Sequence, residues 1–433
     1  MSVAGPRRKR VPASDEERAR AQLAIGDITP RSVYAPESPE ALAELLRACD
    51  RDGRAVVFFG GGTLQGVGHA PSRYDVAISL ANVAQVIAYE FSDLTIAVEA
   101  GLRARDFDAT LAAKGQYEPL DAPLPQRSTV GGILASGWLG PRRAAYGRPR
   151  DFIIGASLVL ADGTIAKAGG MVVKNSTGYD LSRLYVGSLG TLGALVRANF
   201  KTLPLPQARR VALARLPDGT FRRAVAHVAA LETEPTVALA IAGFLDEIEG
   251  RDGSEGRLFA MFEGTPATVE RATRELRSAL GAAGVPETTI LDEAGTRVYQ
   301  QILDAYVSRL GNRTATYRSV GLPSDVVARA EALARLARVH ELEVETILDL
   351  RCGDVIARVS DKIATQFAAR VVEFDDALAN VLSNVRILTA PEALRNRLAM
   401  WGSSTVALAK MRELKAHFDP RNTLAPGRFV GKI

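Results

Sequence analysis

Apolar residues recur at helical spacing early in the chain: Ala41, Leu42, Leu45, Leu46 and Cys49. Ser38-Pro39 offers a capping hydroxyl and a first-turn proline, and Gly53 ends the segment. The unbroken apolar run Ala55-Val56-Val57-Phe58-Phe59 then predicts a buried strand that empties into Gly60-Gly61-Gly62. Strands are also predicted over 75–80, 83–90 and 95–100, the last two paired across Ser92-Asp93. Arg103 to Lys114 reads as a helix closed by Gly115. Residues 152–160 and 164–168 read as a hairpin, because Asp162-Gly163 favours chain reversal. A strand over 194–203 runs into Leu203-Pro204-Leu205-Pro206, which breaks the pattern and predicts a domain boundary.

Beyond that boundary glycine thins out and the period alternates. Helices are predicted over 221–231, 266–280 and 324–339, and strands over 257–262, 314–320 and 344–350. Such alternation suggests an α+β layer with helices on one face. After about Val385 only short helices and a Pro/Gly tail are expected. Spacing reveals no internal repeat.

Length and composition narrow the class. A chain of 433 residues has room for two or three domains. No stretch approaches the ~18 apolar residues of a membrane span, so no integral membrane segment is expected. The net charge is +5, and Arg7-Arg8-Lys9-Arg10 supplies four of those charges, so the remainder stands at +1. A near-neutral body argues against nucleic acid as a partner. Residues 1–30 are expected to form a mobile arm, since Pro12 to Glu17 offers no apolar core for an export signal. Two cysteines, Cys49 and Cys352, cannot hold an iron–sulfur centre by thiolates alone, and a cytoplasmic setting fits. His69, His227, His340 and His417 are scattered without ligand spacing, so no metal site is expected.

Three tracts carry chemistry. Gly60-Gly61-Gly62-Thr63-Leu64-Gln65-Gly66 follows a strand and can turn its N–H groups toward an anion such as a pyrophosphate. It is neither a P-loop nor a GxGxxG fingerprint, because Gln65 stands where glycine would be needed. The second tract, Ser128 to Gly137, has mostly small side chains and could lie flat against an extended cofactor. The third, Lys174 to Leu181 followed by Gly187-Ser188-Leu189-Gly190-Thr191-Leu192-Gly193, joins a cation, an amide, hydroxyls and a phenol in one loop. Taken alone, each could be a tight turn or a packed corner.

In this order and spacing, the tracts resemble the FAD domain of the vanillyl-alcohol oxidase superfamily, also called PCMH-type. The first resembles the family's RGGGTGLSG loop, with Phe59 where Arg is usual. The second resembles ATIGGNIA, and the third KNVTGYDL followed by GSEGTLG. Leu414 to Pro420 and Leu424-Ala425-Pro426-Gly427 resemble the family's usual ending. The likeness is greatest to the glycolate oxidase FAD-binding subunit and the D-lactate dehydrogenase group.

The resemblance implies an α+β fold, with a PCMH-type FAD-binding domain of two α+β subdomains over 31–206. A ferredoxin-like cap over 207–385 and a C-terminal return over 386–433 would complete it. It implies that Gly60, Gly61, Gly62, Thr63, Leu64 and Gly66 hold the pyrophosphate. Ser128, Thr129, Gly131, Gly132, Ser136 and Gly137 would line the cofactor, with Gly190 and Leu195 at its adenine end. A valine at Gly61 or Gly131 is expected to abolish flavin binding by occupying cofactor space. Thr63 stands where some relatives tether flavin through His, so non-covalent FAD is expected. The cap would supply the substrate pocket, where a cation must hold the carboxylate and a base take the hydroxyl proton; the candidates are Arg318 and Arg351 in the cap and Tyr179, which with Tyr146 and Lys174 would face the flavin.

Metal-assisted relatives carry HxGDGNxH, whereas this chain has Leu350-Arg351-Cys352-Gly353-Asp354-Val355-Ile356. That departure favours the FAD-binding subunit of a glycolate-oxidase-like complex. Such a complex would oxidise a small 2-hydroxy acid with an iron–sulfur subunit and a second flavoprotein subunit as partners. A stand-alone alcohol or polyol oxidase and a non-catalytic FAD-binding assembly subunit remain open.

Overall fold

The computed structural model describes residues 20–171, 181–244, 256–307, 313–402 and 406–433. The chain divides into two units. The first comprises Met1–Leu139, Arg148–Leu205 and Thr405–Ile433, and the second Gly140–Gly147 and Pro206–Ser404.

In the first unit, β1 (Ser32–Tyr34), β2 (Val56–Phe59) and β3 (Val76–Ser79) form a parallel sheet in the order β1-β3-β2. Helix α1 (Pro39–Arg51) starts where the Ser38 hydroxyl accepts from the Ala41 N–H at 3.2 Å. Its Leu42, Leu45, Leu46 and Cys49 bury themselves against Val56, Val76 and Ile78. An antiparallel sheet follows: β4 (Val86–Glu90), β5 (Thr95–Glu99), β7 (Ile153–Val159), β8 (Ile165–Gly169) and β9 (Ala194–Lys201), ordered β4-β5-β9-β7-β8. Two residues each of β6 (Gln116–Tyr117) and β10 (Leu203–Pro204) pair separately. Helices α2 (Ala104–Ala112) and α3 (Val130–Ser136) complete the unit with a C-terminal helix, Leu408–Phe418.

The chain end is woven into this unit. The Val56 N–H donates to Thr423 O at 2.8 Å, and the Ala425 N–H to Val56 O at 2.7 Å. The expected arm over 1–30 is corrected at its far end. Ile25 is 1% exposed and packs with Val33, Val57, Phe59 and Tyr74, so the segment around it belongs to the fold. Apolar Leu23, Ile25 and Ile28 gain more from burial than from solvation.

The second unit is one eight-stranded sheet. Its strands are β11 (Ala208–Leu216), β12 (Val237–Ala242), β13 (Gly256–Gly264), β14 (Thr289–Leu291), β15 (Thr314–Val320), β16 (Glu343–Asp349), β17 (Asp354–Ser360) and β18 (Val385–Thr389). Helices α4 (Phe221–Ala229), α5 (Pro266–Ala282), α6 (Glu293–Ala305), α7 (Val326–Val339) and α8 (Ala364–Val381) connect or flank them. The order is β14-β11-β13-β12-β16-β17-β15-β18, with antiparallel neighbours throughout.

This is a ferredoxin-like topology used twice. The runs β11-α4-β12-β13-α5-β14 and β15-α7-β16-β17-α8-β18 each have the fourth strand beside the first, then the third and second. They join edge to edge through β12 and β16. Sequence spacing showed no repeat, because a shared topology demands only compatible periodicity and not matching residues.

Side chains alternate across each strand. One face packs Ala214, Ala240, Ala260, Ala357 and Tyr317 into the same core as Leu276, Leu333 and Phe374. The boundary expected at 386 is also corrected. Strand β18, Leu394, Leu398 and Met400 belong to the second unit, with Trp401 packed against its core, so the return begins near 405. Gly140–Gly147 belongs to the second unit as well.

Candidate functional site

The loop after β2 meets the start of α3 at a cleft in the first unit. Tight contact between glycine main chain and its neighbours brings the two tracts together. A Cβ on Gly60 would fall onto the Thr129 hydroxyl, and one on Gly61 onto the Arg127 carbonyl oxygen. The Thr63 and Ser128 hydroxyls are hydrogen-bonded at 2.8 Å. Thr129 caps α3, accepting from the Gly132 N–H at 3.2 Å. Gly131 packs so closely on Ala100 that a Cβ would lie 2.6 Å from the alanine methyl.

Gly60, Gly61, Gly62, Thr63, Leu64, Thr129, Gly131, Gly132, Ser136, Gly190 and Leu195 all line the cleft. Ser128, Gly66 and Gly137 do not. Ser128 is 1% exposed, and its hydroxyl also donates to Pro123 O, so it supports Thr63 from behind. Gly66 is buried, and Gly137 ends α3 against Gly187. The reason for keeping Gly61 and Gly131 also differs from the expectation. Their missing side chains make room for neighbouring protein atoms, the Arg127 main chain beside Gly61 and Ala100 beside Gly131. Gly62 has open space around it and φ +70°, a conformation costly to other residues.

Sequence reading missed the clamp that shapes the loop. Buried Arg428 donates to Gln65 O at 3.0 Å and Val67 O at 2.9 Å, and also to the Gln65 side chain. Gln65 in turn donates to Phe58 O at 2.9 Å. Farther along, Lys415 is buried and donates to Thr191 O at 2.9 Å and Leu424 O at 2.7 Å while pairing with Asp419. Burial pulls the lysine below its ordinary value, with Asp419 opposing. The Asp419 carboxylate also accepts the Thr423 and Leu424 N–H groups at 2.9 and 2.7 Å. The contacts from Arg428 to Gln65 and Val67 and from Lys415 to Thr191 span hundreds of residues, so no local spacing signals them.

The cleft suits a dinucleotide. Among the described residues, the main-chain N–H groups of Gly60, Gly61, Gly62 and Thr63 have no acceptor. Donors gathered in a glycine turn form an anion nest. The neighbouring wall of Gly131, Gly132, Ala135 and Gly193 leaves a flat surface for an extended ligand.

The proposed catalytic residues lie elsewhere. Arg318, on β15, is 1% exposed and donates to Asp354. Arg351 donates to Pro235 O at 2.6 Å and pairs with Glu234 at 2.8 Å. Tyr146 donates to Glu263 at 3.0 Å. Tyr179 and Lys174 lie outside the described residues. Burial and Asp349 push the Cys352 thiol well above its ordinary range, which disfavours the thiolate. Among the described residues, no helix is long and apolar enough to cross a membrane.

Comparison with known proteins agrees with this geometry. Residues 30–169 match the FAD binding domain family, and residues 400–429 the C-terminal domain of FAD linked oxidases. The chain is 27% identical to glycolate oxidase subunit GlcD of Bacillus subtilis, covering 93% of this chain and 89% of that protein. It is 26% identical to a D-lactate dehydrogenase of Archaeoglobus fulgidus, covering 93% and 91%. Against glycolate oxidase subunit GlcE of Escherichia coli it is 32% identical, over 46% of this chain and 53% of that protein. Among solved structures, p-cresol methylhydroxylase with substrate bound superposes with a TM-score of 0.72 at 15% identity, covering 92% of this chain and 88% of that chain. With its nested glycine loop, small-residue wall and matches at both ends, the chain is an FAD-dependent oxidoreductase that carries an FAD binding domain and the C-terminal domain of FAD linked oxidases, on a fold shared with p-cresol methylhydroxylase.

Proposed function

We propose that this protein oxidises a small 2-hydroxy acid of the glycolate or D-lactate type, as the FAD-binding subunit of a glycolate-oxidase-like assembly. One observation carries the reading. Similarity to glycolate oxidase and D-lactate dehydrogenase runs through 93% of the chain, beyond the flavin cleft and into the second unit. Likeness to GlcE over 200 residues supports a role beside other subunits. An iron–sulfur subunit and a second flavoprotein subunit are the proposed partners, and the cytoplasm the proposed location.

Bound FAD supplies the two-electron redox chemistry. The N–H groups of Gly60 to Thr63 would hold its pyrophosphate, and Thr129, Gly131, Gly132, Ser136, Gly190 and Leu195 would line its length. Attachment is proposed to be non-covalent, since the Thr63 hydroxyl is engaged by Ser128 and is no match for a histidine nucleophile. For the substrate, the protein must supply a cation for the carboxylate and an acceptor for the hydroxyl proton.

Anaerobic titration of the purified FAD-loaded chain with glycolate, D-lactate and related acids should bleach the visible flavin band. Affinity capture should recover a cysteine-rich partner. Acid precipitation should leave the yellow colour in the supernatant. A flavin that no 2-hydroxy acid reduces, alone or with its captured partners, would overturn the substrate class.

A further inference from the structure

The cleft of the first unit has a lopsided charge. Among the described residues, one charged side chain lines it, Arg428, and no carboxylate does. All its other lining groups are glycine, hydroxyl, amide or apolar. Arg428 is 3% exposed and stands 363 positions after Gln65, so the chain end brings it there.

An arginine that only fastened a loop would have no need to face the cleft. This one does both. Its forked N–H groups hold Gln65 O at 3.0 Å and Val67 O at 2.9 Å, on the two sides of Gly66, and also the Gln65 side chain. Those acceptors are neutral amides. The bonds to them fix where the guanidinium sits and leave its charge in place.

Other sources of positive potential in the cleft are weaker. Helix α3 has only seven residues, and Thr129 already takes its Gly132 N–H. Arg127 approaches Gly61 O at 3.4 Å, but its side chain is exposed and stands outside the lining. Solvent and salt screen a charge in that position. A dinucleotide nevertheless brings a doubly charged pyrophosphate to the loop. The N–H groups of Gly60 to Thr63 can orient that group, but as neutral dipoles they add no net charge to balance it.

We propose that Arg428 is the counter-charge of the cofactor's pyrophosphate, delivered to the glycine nest by the chain end. The loop then supplies direction and the guanidinium supplies charge. The same role makes the chain end part of the cofactor site, through the hydrogen bonds that stitch Thr423 and Ala425 to Val56. The assignment concerns the cofactor alone and holds whichever acid reduces the flavin.

The test measures FAD dissociation from the full loaded chain by flavin fluorescence, with ADP-ribose and adenosine as competitors. Both competitors carry the adenine end, and only ADP-ribose carries the pyrophosphate. Arg428→Gln should weaken FAD and ADP-ribose by about tenfold or more, the loss of one charge-assisted contact, and should leave adenosine unchanged. Arg428→Lys keeps the charge and loses the fork, so it should recover much of the affinity. In the parent, added salt should weaken ADP-ribose and spare adenosine, a comparison that needs no variant to fold. An arginine that merely fastens the loop gives a different pattern: the lysine variant would bind as poorly as the glutamine one. That result would overturn the assignment. So would equal losses for adenosine and ADP-ribose, undiminished FAD affinity in Arg428→Gln, or ADP-ribose binding indifferent to salt.

Discussion

The two units use polar groups in opposite ways. In the first, the cleft is made by removing side chains. Glycines at 60, 61, 62, 131 and 132 present main chain, and the polar work falls to N–H groups, a few hydroxyls and one arginine. In the second, long charged side chains are held on a sheet, where Arg318, Arg358, Asp349 and Asp354 are all nearly inaccessible to solvent. A main-chain site suits a large cofactor common to many reactions. A side-chain site suits a small ligand that must be told apart from its relatives. The difference also sets how each fails under mutation: the first by steric overlap, the second by lost electrostatic balance.

The largest effect should come from Gly61→Val. The new side chain collides with the Arg127 main chain, which cannot retreat without opening the contact between the two tracts. We expect a cost above about 4 kcal/mol and loss of stoichiometric FAD after gel filtration. Gly62→Ala separates sterics from conformation. It has open space, so only the positive φ counts, about 1–2 kcal/mol, and FAD should be retained. Equal FAD loss in both variants would break the claim that main-chain packing, and not cofactor contact, fixes Gly61.

Lys415→Met should rank next. It leaves Asp419 buried without its cation and frees the Thr191 and Leu424 carbonyls, at about 3 kcal/mol in urea unfolding. If the first unit tolerates this change, its chain end is not the clamp described above.

In the second unit, Glu263→Gln should cost about 2–3 kcal/mol, because Arg142 and Arg209 lose their shared carboxylate. Burial alone would raise this carboxyl, but the two arginines outweigh it and hold it below the usual range. A depressed carboxyl stabilises the fold above its unfolded value, about pH 4.3, and that contribution disappears as pH falls through the folded value. The parent should therefore lose stability below about pH 4 more steeply than Glu263→Gln. Parallel acid limbs would remove Glu263 from the account.

The smallest effect belongs to Arg351→Ala. Its partner Glu234 is 74% exposed, so the pair is worth under about 1 kcal/mol. Affinity for propionate, a carboxylate with nothing to oxidise, should hardly change. A large rise in the apparent dissociation constant would return Arg351 to the substrate site.

Much of the first unit was legible in sequence because its rules are local. Ser38-Pro39 starts a helix wherever it occurs before an apolar period, and three successive glycines after a strand announce a turn with free N–H groups. The second unit was legible only in part. Strands β11, β12, β14, β17 and β18 escaped notice, since short buried runs such as Val-Ala-Leu-Ala-Ile-Ala at 237–242 carry no polar alternation. Arg318 and Arg351 stood out as isolated cations in strand-like surroundings, but whether a cation is spent or spare depends on partners from other strands. Asp354 spends Arg318, and Glu234 spends Arg351. In the first unit Arg428 gave no signal, because only its place in the cleft makes it exceptional.

The sequence by itself determined that this chain carries a glycine-rich FAD-binding domain and an α+β partner unit. Conformation at glycine, capping at Ser38 and strand period are properties of neighbouring residues. Tertiary structure alone decided that Arg428 and Lys415 lock the chain end around the cleft and that the second unit duplicates one topology. Those outcomes depend on which distant groups share a low-dielectric space, and a linear order of residues does not contain that information.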